Sequence, residues 1–238
     1  MGQIIMTVEA INWTEGNVGH IHVCLNGGSC RIDWGDGHIS KCRASVHKEQ
    51  PEWLYDAHIY PNGCKDTQER FDIVISSDSD NIVGIRVDSG EMDVVDIDIS
   101  RCQSLVYFEA SYLIDYFNLT TNPGIRDVNL RGYACELADF SNSTELKELY
   151  FNNNTGGERH KIGKMLDLTK CDKLEYLECC HAFELTHIAI SNRSALKKLV
   201  FDENTPLSDK SIEIIKRIVE RNGGEIVKIN DNDEYIRI

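Results

Sequence analysis

Positive charge is scarce in this sequence: 25 Lys and Arg stand against 39 Asp and Glu, for a formal net charge of −14. A general nucleic-acid binder needs a basic face to displace counterions from phosphates, so that class is excluded. Docking on anionic lipid is disfavoured for the same reason. The deficit is spread along the chain, with net charges of −6 over residues 1–80, −7 over 81–206 and −1 over 207–238, so no basic sub-domain hides in the total. Long apolar runs are also missing: none approaches the ~18–20 residues of a membrane helix, and no membrane insertion is expected. The first residues, Met1–Thr7, have no basic segment and no apolar stretch, so no export signal is expected there. Catalytic signatures are absent too. There is no phosphate-binding glycine loop, no Gly-x-Ser-x-Gly elbow and no His-Glu-x-x-His, and nothing pairs a nucleophile with a base. No enzyme, catalytic residue, cofactor or metal is expected.

A repeat is present. Leu105–Ala110, Ile125–Leu130, Leu146–Phe151, Leu174–Cys179 and Leu196–Phe201 each read apolar-x-x-apolar-x-apolar, and Ile82–Val87 fits as a first copy. The spacings are 23, 20, 21, 28 and 22 residues. A second apolar anchor stands six residues before each later copy, at Ile99, Leu119, Phe140, Leu168 and Ile190, and Ser or Thr follows it every time. One such turn cannot bury its own leucines, so neighbours must stack. The expectation is a leucine-rich-repeat solenoid of about six turns over 81–206. The spacing of 28 marks an insertion within Asn152–Gly163, rich in Asn and Gly at its start.

Residues 1–80 have period two instead. Ile4–Ala10, His20–Leu25, Cys30–Trp34, His38–Ala44, Trp53–Tyr60 and Phe71–Ser76 read as short strands separated by glycine-containing turns, which predicts a small antiparallel β-sandwich. Over 207–238, Ser208-Asp209 predicts the start of a helix with Ile212, Ile215, Ile218 and Val219 as its apolar face. Asn222-Gly223-Gly224 ends it, and two short strands follow as a cap. The fold class is therefore mainly β: sandwich, repeat solenoid, and helix/strand cap.

Cys30-Arg31-Ile32-Asp33-Trp34-Gly35-Asp36-Gly37, followed by His58-Ile59-Tyr60 and Phe71–Ile75, resembles a PKD-type immunoglobulin-like sandwich. Met165–Cys179 resembles internalin-like bacterial leucine-rich repeats, and the order of sandwich then repeats resembles proteins of gut Bacteroidetes. The repeat asparagine usual after the strands is mostly missing. The resemblance implies a cell-surface or extracellular protein. The lack of an export signal conflicts with that and leaves a cytoplasmic location open.

Strand alternation puts positions two and four past each anchor on the outer face. The candidate binding residues there are Tyr107, Glu109, Asp127, Asn129, Glu148, Tyr150, Tyr176, Glu178 and Lys198. Tyrosine supplies contact area and a hydrogen bond at low entropic cost. The expected partner is another protein with a basic surface. The alternatives are a glycan, or no ligand in a structural spacer. His20-x-His22 places two imidazoles on one strand face, and Asp33 with Asp36 is expected to shape a turn; neither makes a metal site by itself. Cys102, Cys171 and Cys179 read as structural, whereas Cys180 should point outward as an exposed thiol.

Overall fold

The computed structural model describes residues 2–9, 18–45, 50–60, 70–88, 94–111, 116–131, 139–152, 164–230, 232 and 234–238. The insertion expected after Asn152 lies outside them. The described chain is mainly β, and it divides into two compact units, Met1–Asn122 and Pro123–Ile238.

The first unit contains β1 (Gly2–Glu9), β2 (Val18–Leu25), β3 (Ser29–Asp33), β4 (Ile39–Arg43), β5 (Glu52–Ile59), β6 (Arg70–Ser77), β7 (Ile82–Asp88), β8 (Val94–Arg101), β9 (Tyr107–Ser111) and β10 (Tyr116–Phe117). Strict alternation decides which side of β1 is covered: Ile4, Met6 and Val8 are buried, and Gln3, Ile5 and Thr7 between them are partly open. Its neighbours match that pattern, with Ile4 opposite Ile75 and Met6 opposite Ile73 in β6, and Met6 opposite Ile97 in β8. This sheet runs β10-β8-β1-β6-β3-β4. Within the same unit a second run, β5-β2-β7-β9, is antiparallel except for the parallel pair β7–β9. Trp34 is fully buried and gives its indole N–H to Ser40 Oγ at 2.5 Å, while the Tyr60 hydroxyl donates to Trp34 O at 3.0 Å. The strand β8 carries the Ile97 and Ile99 anchors. It pairs antiparallel with β1, so the first turn of the repeat pattern is built into the sheet of the N-terminal strands.

The second unit contains β11 (Asp127–Arg131), β12 (Glu148–Asn152), β13 (Met165–Leu168), β14 (Tyr176–Cys180), β15 (His187–Ile190), β16 (Lys198–Asp202), α1 (Asp209–Arg221), β17 (Glu225–Ile229) and β18 (Tyr235–Arg237). Strands β11, β12, β14, β16 and β17 are parallel and in register, with Val128, Leu149, Leu177, Leu199 and Ile226 forming one row. Leu130, Phe151, Cys179 and Phe201 form the next inward row. The anchors Ile125, Leu146, Leu174 and Leu196 are fully buried. Two of the secondary anchors, Leu168 and Ile190, pair in a separate two-stranded parallel sheet, with Leu166 opposite Ile188 beside them.

Between the two anchor series the turns repeat one device. Asp98, Asp139 and Asp167 each accept, through a carboxylate oxygen, the backbone N–H two residues later at 2.8–2.9 Å. Asn118 does the same with its amide oxygen, accepting Thr120 N–H at 2.8 Å. These Asx turns reverse the chain before the next strand. Small buried groups fill the turn beneath: Asn122 Nδ2 donates to Cys102 O at 2.7 Å and Ser194 Oγ to Leu174 O at 3.5 Å.

The helix α1 starts as its sequence predicts, with Ser208 Oγ accepting Ser211 N–H at 3.3 Å. Ile215, Ile218 and Val219 are buried and Ile212 is half-buried. Asn222 closes the helix and donates from Nδ2 to Ser194 O and Leu196 O, at 3.0 and 2.9 Å. Gly223 has φ +72°, and a Cβ on Gly224 would lie 1.8 Å from Lys197 O, so glycine is required at this close approach. The strand β17 then joins β16 in parallel, and β18 pairs back on it antiparallel.

Candidate functional site

The predicted binding residues of the second unit do share one face. Register aligns Asp127, Glu148, Tyr176 and Lys198 in one row, and Asn129, Tyr150, Glu178 and Val200 in the next. Tyr150 and Tyr176 sit diagonally, with ring centroids 4.8 Å apart and planes 34° apart. Each hydroxyl donates to a carboxylate on its own strand, Tyr150 to Glu148 Oε2 at 2.9 Å and Tyr176 to Glu178 Oε2 at 2.6 Å. The hydrogen bonds hold both rings in place, and the carboxylates keep them from ionising. Burial first, and then the Glu148 bond, push the Tyr150 hydroxyl up to about 12.

Charge on this face is mostly negative. Asp127 lies beside Glu148, and burial together with the Glu148 charge lifts its carboxyl to about 6. Lys198 faces Glu225 at 3.7 Å, and Arg237 binds the other Glu225 oxygen at 2.6 Å, so the cations of the face gather at one end. That end is also apolar beneath the surface: Val200, Val227 and Cys180 form a buried cluster with Tyr176 and Ile229 packed against it. This corrects the expectation for Cys180. Its side chain does leave the strand outward, but neighbouring strands cover it to 4 % exposure, and burial pushes its thiol up to about 12. It is not a reactive surface thiol.

The other two predicted residues, Tyr107 and Glu109, belong to the first unit and sit in a different company. Glu109 accepts from Arg86 Nε at 2.7 Å. The Arg86 guanidinium lies 5.5 Å from the Trp53 ring centroid. Trp53, Cys24, Gly84 and Tyr107 form one register row across β5, β2, β7 and β9. Because Gly84 has no side chain, the indole can extend over Cys24: a Cβ at Gly84 would stand 3.0 Å from Trp53 Cη2 and 2.8 Å from Cys24 Cβ. The ring reaches Tyr107 at 6.3 Å between centroids. In the next row, Tyr55 packs against His22 at 5.0 Å and His20 at 5.7 Å, and its hydroxyl contacts His20 Nδ1. Trp53, Tyr55 and Ile59 are 43 %, 56 % and 60 % exposed, an unusual aromatic and aliphatic load for one strand. Trp53, Tyr55 and Arg86 were not among the predicted site residues. Alternation within Glu52–Ile59 does put Trp53, Tyr55 and Ile59 on one side, but which side faces solvent depends on the β2–β5 register.

At the Gly35–Gly37 turn, Asp36 Oδ1 accepts His38 N–H at 2.9 Å and Asp33 Oδ1 accepts Gly35 N–H at 3.3 Å, as the turn reading predicts. The other Asp36 oxygen lies 2.7 Å from His58 Nε2. Burial alone would raise the Asp36 carboxyl, but the His58 and His38 hydrogen bonds outweigh it and hold it low. His58 stacks on His38, 4.5 Å between centroids, so this pair fastens the turn to β5. Among the described residues no group of three or more His, Cys, Asp or Glu side chains is placed to hold a metal ion. Comparison with known protein families, curated proteins and solved structures gives no match to the chain.

Proposed function

We propose that this chain is a non-enzymatic protein-binding module, built as an internalin-like leucine-rich-repeat solenoid behind a PKD-like sandwich and working at the cell surface. In-register parallel strands with one buried leucine row support the solenoid reading. Residue resemblance supports the surface location. The function rests on one observation: the Tyr150–Tyr176 pair is held by Glu148 and Glu178 on a face that also carries Asp127. Fixed aromatic rings ringed by carboxylates suit a Lys- or Arg-bearing segment, since a cation gains from both the ring face and the acid. Few side-chain rotamers remain to be frozen on binding.

The test is selection from a random peptide display library against the folded protein. Sequences rich in Lys and Arg should be enriched. The Tyr150→Ala/Tyr176→Ala double variant should lose them by ~100-fold or more, since each tyrosine truncation at a hot spot costs about 2 kcal/mol. Equal capture by wild type and variant would remove this face from the account.

A second reading, glycan binding, is favoured by the exposed Trp53, Tyr55 and Tyr107 of the first unit. A glycan array that retains wild type but not Trp53→Ala would decide for it. A blank array leaves the protein partner as the reading.

A further inference from the structure

We infer that Cys30 and Cys42 are a redox-active dithiol, which low-molecular-weight disulfides oxidise to an intrachain disulfide. The two residues are direct cross-strand partners in the β3–β4 hairpin. The type of pair follows from the flanking bonds. Ala44 N–H donates to Gly28 O at 2.9 Å, and Trp34 N–H to His38 O at 3.0 Å. Cys30/Cys42 stands an even number of residues from both, so it is a hydrogen-bonded pair of the antiparallel ladder, with a Cα separation of about 5.5 Å. That falls inside the ~4.4–6.8 Å range a disulfide spans. No large backbone movement is needed to close the bond.

Two further observations support the assignment. Both thiols turn to the same face of the hairpin, Cys42 on the outer strand at 9 % exposure and Cys30 on the inner strand at 2 %, so Cys42 is the one a reagent meets first; the hydrogen bond between them, and then burial, raise Cys30. The strand β4 is the outer strand of its sheet, so the hairpin can open locally without disturbing the core around Ile4 and Ile75. By contrast, Cys24 lies opposite Trp53 and Gly84 and so has no cysteine across its ladder.

In the first step the Cys42 thiolate attacks one sulfur of the small disulfide. A mixed disulfide forms, the reagent's S–S bond breaks, and a thiolate leaves and takes up the proton Cys42 lost. In the second step Cys30 sulfur attacks Cys42 sulfur, the second small thiolate leaves, and it takes the Cys30 proton. Two protein thiols and one small disulfide become one protein disulfide and two small thiols, so two electrons pass to the reagent.

The experiment uses the whole reduced protein held in excess oxidised glutathione, quenched with N-ethylmaleimide under denaturing conditions, digested and read by mass spectrometry. A linked peptide joining Cys30 and Cys42 is expected, with both residues missing from the maleimide-labelled set and restored by dithiothreitol. Full labelling of Cys30 and Cys42 after exposure, or either one joined to a different cysteine, overturns the proposal. Variants test the order of attack. Cys30→Ser should stop at glutathione on Cys42, and Cys42→Ser should leave Cys30 without an adduct. The reverse pattern overturns the mechanism. The wild-type peptide map stands even if a variant folds poorly.

Discussion

Asp127 behaves unlike the other well-placed acids of the chain. In the folded protein it holds its proton to about 6, whereas in the unfolded chain it ionises near the ordinary value of ~3.9. The folded state therefore binds more protons between those limits. The contribution of this group to stability is complete below about pH 4 and is lost as pH rises through about 6. Asp127→Asn should remove that decline, so wild type should melt progressively lower than the variant between pH 4 and 6 in a thermal scan. Asp98 and Asp167 run the opposite way. Side-chain and backbone hydrogen bonds from Ser100 and Thr169 hold both carboxyls low, so what they add is present above the ordinary aspartate range and disappears on further acidification. Leu149 and Lys147 make a paired test of burial. Leu149 is fully buried and Lys147 is exposed. Leu149→Ala should cost about 2–5 kcal/mol in urea unfolding, and Lys147→Ala within about 0.5 kcal/mol. Gly84→Ala drives a Cβ into Cys24 and the Trp53 ring. A loss of about 1–3 kcal/mol is expected, with a change in tryptophan emission as the indole lifts into water.

At the scale of elements, the helix α1 has a start that its sequence specifies and a face that packing completes. Ser208→Ala removes the acceptor for Ser211 N–H and should lower stability by about 1 kcal/mol, measured by chemical denaturation. The strands separate into two kinds of legibility. Period-two alternation placed the six strands of residues 1–80 to within a few residues, because each has one covered side. The leucine spacing likewise placed β9, β11, β12, β14 and β16, because every copy must present the same three apolar positions inward. What alternation could not supply was partnership. Nothing local to Val94–Arg101 says that it pairs antiparallel with β1, since that pairing is decided by the long-range match of Met6 to Ile97. The Asx turns were readable in principle, as an Asp or Asn immediately precedes Ile99, Leu119, Phe140 and Leu168.

At the scale of the whole chain, the candidate surface was half legible. Register follows from the repeat, so Asp127, Glu148, Tyr150, Tyr176 and Glu178 could be assigned to one face before any coordinates. The cover over Val200 and Cys180 could not be, because it comes from β17, which lies outside the repeat and adds Val227 beside them. The same holds for Trp53, whose neighbours Gly84 and Tyr107 come from strands far along the chain. The outermost strand of that second unit, β18, is three residues long and exposed throughout. A strand this short offers an incoming chain few free amides and carbonyls, and its Arg237 adds charge to the rim. Removing residues 235–238 would uncover β17, with Ile226 and Val227 along its length, and give other molecules a template to extend. Light scattering should then record a protein that stays folded while growing into fibrous aggregates, which makes the last hairpin a guard against polymerisation.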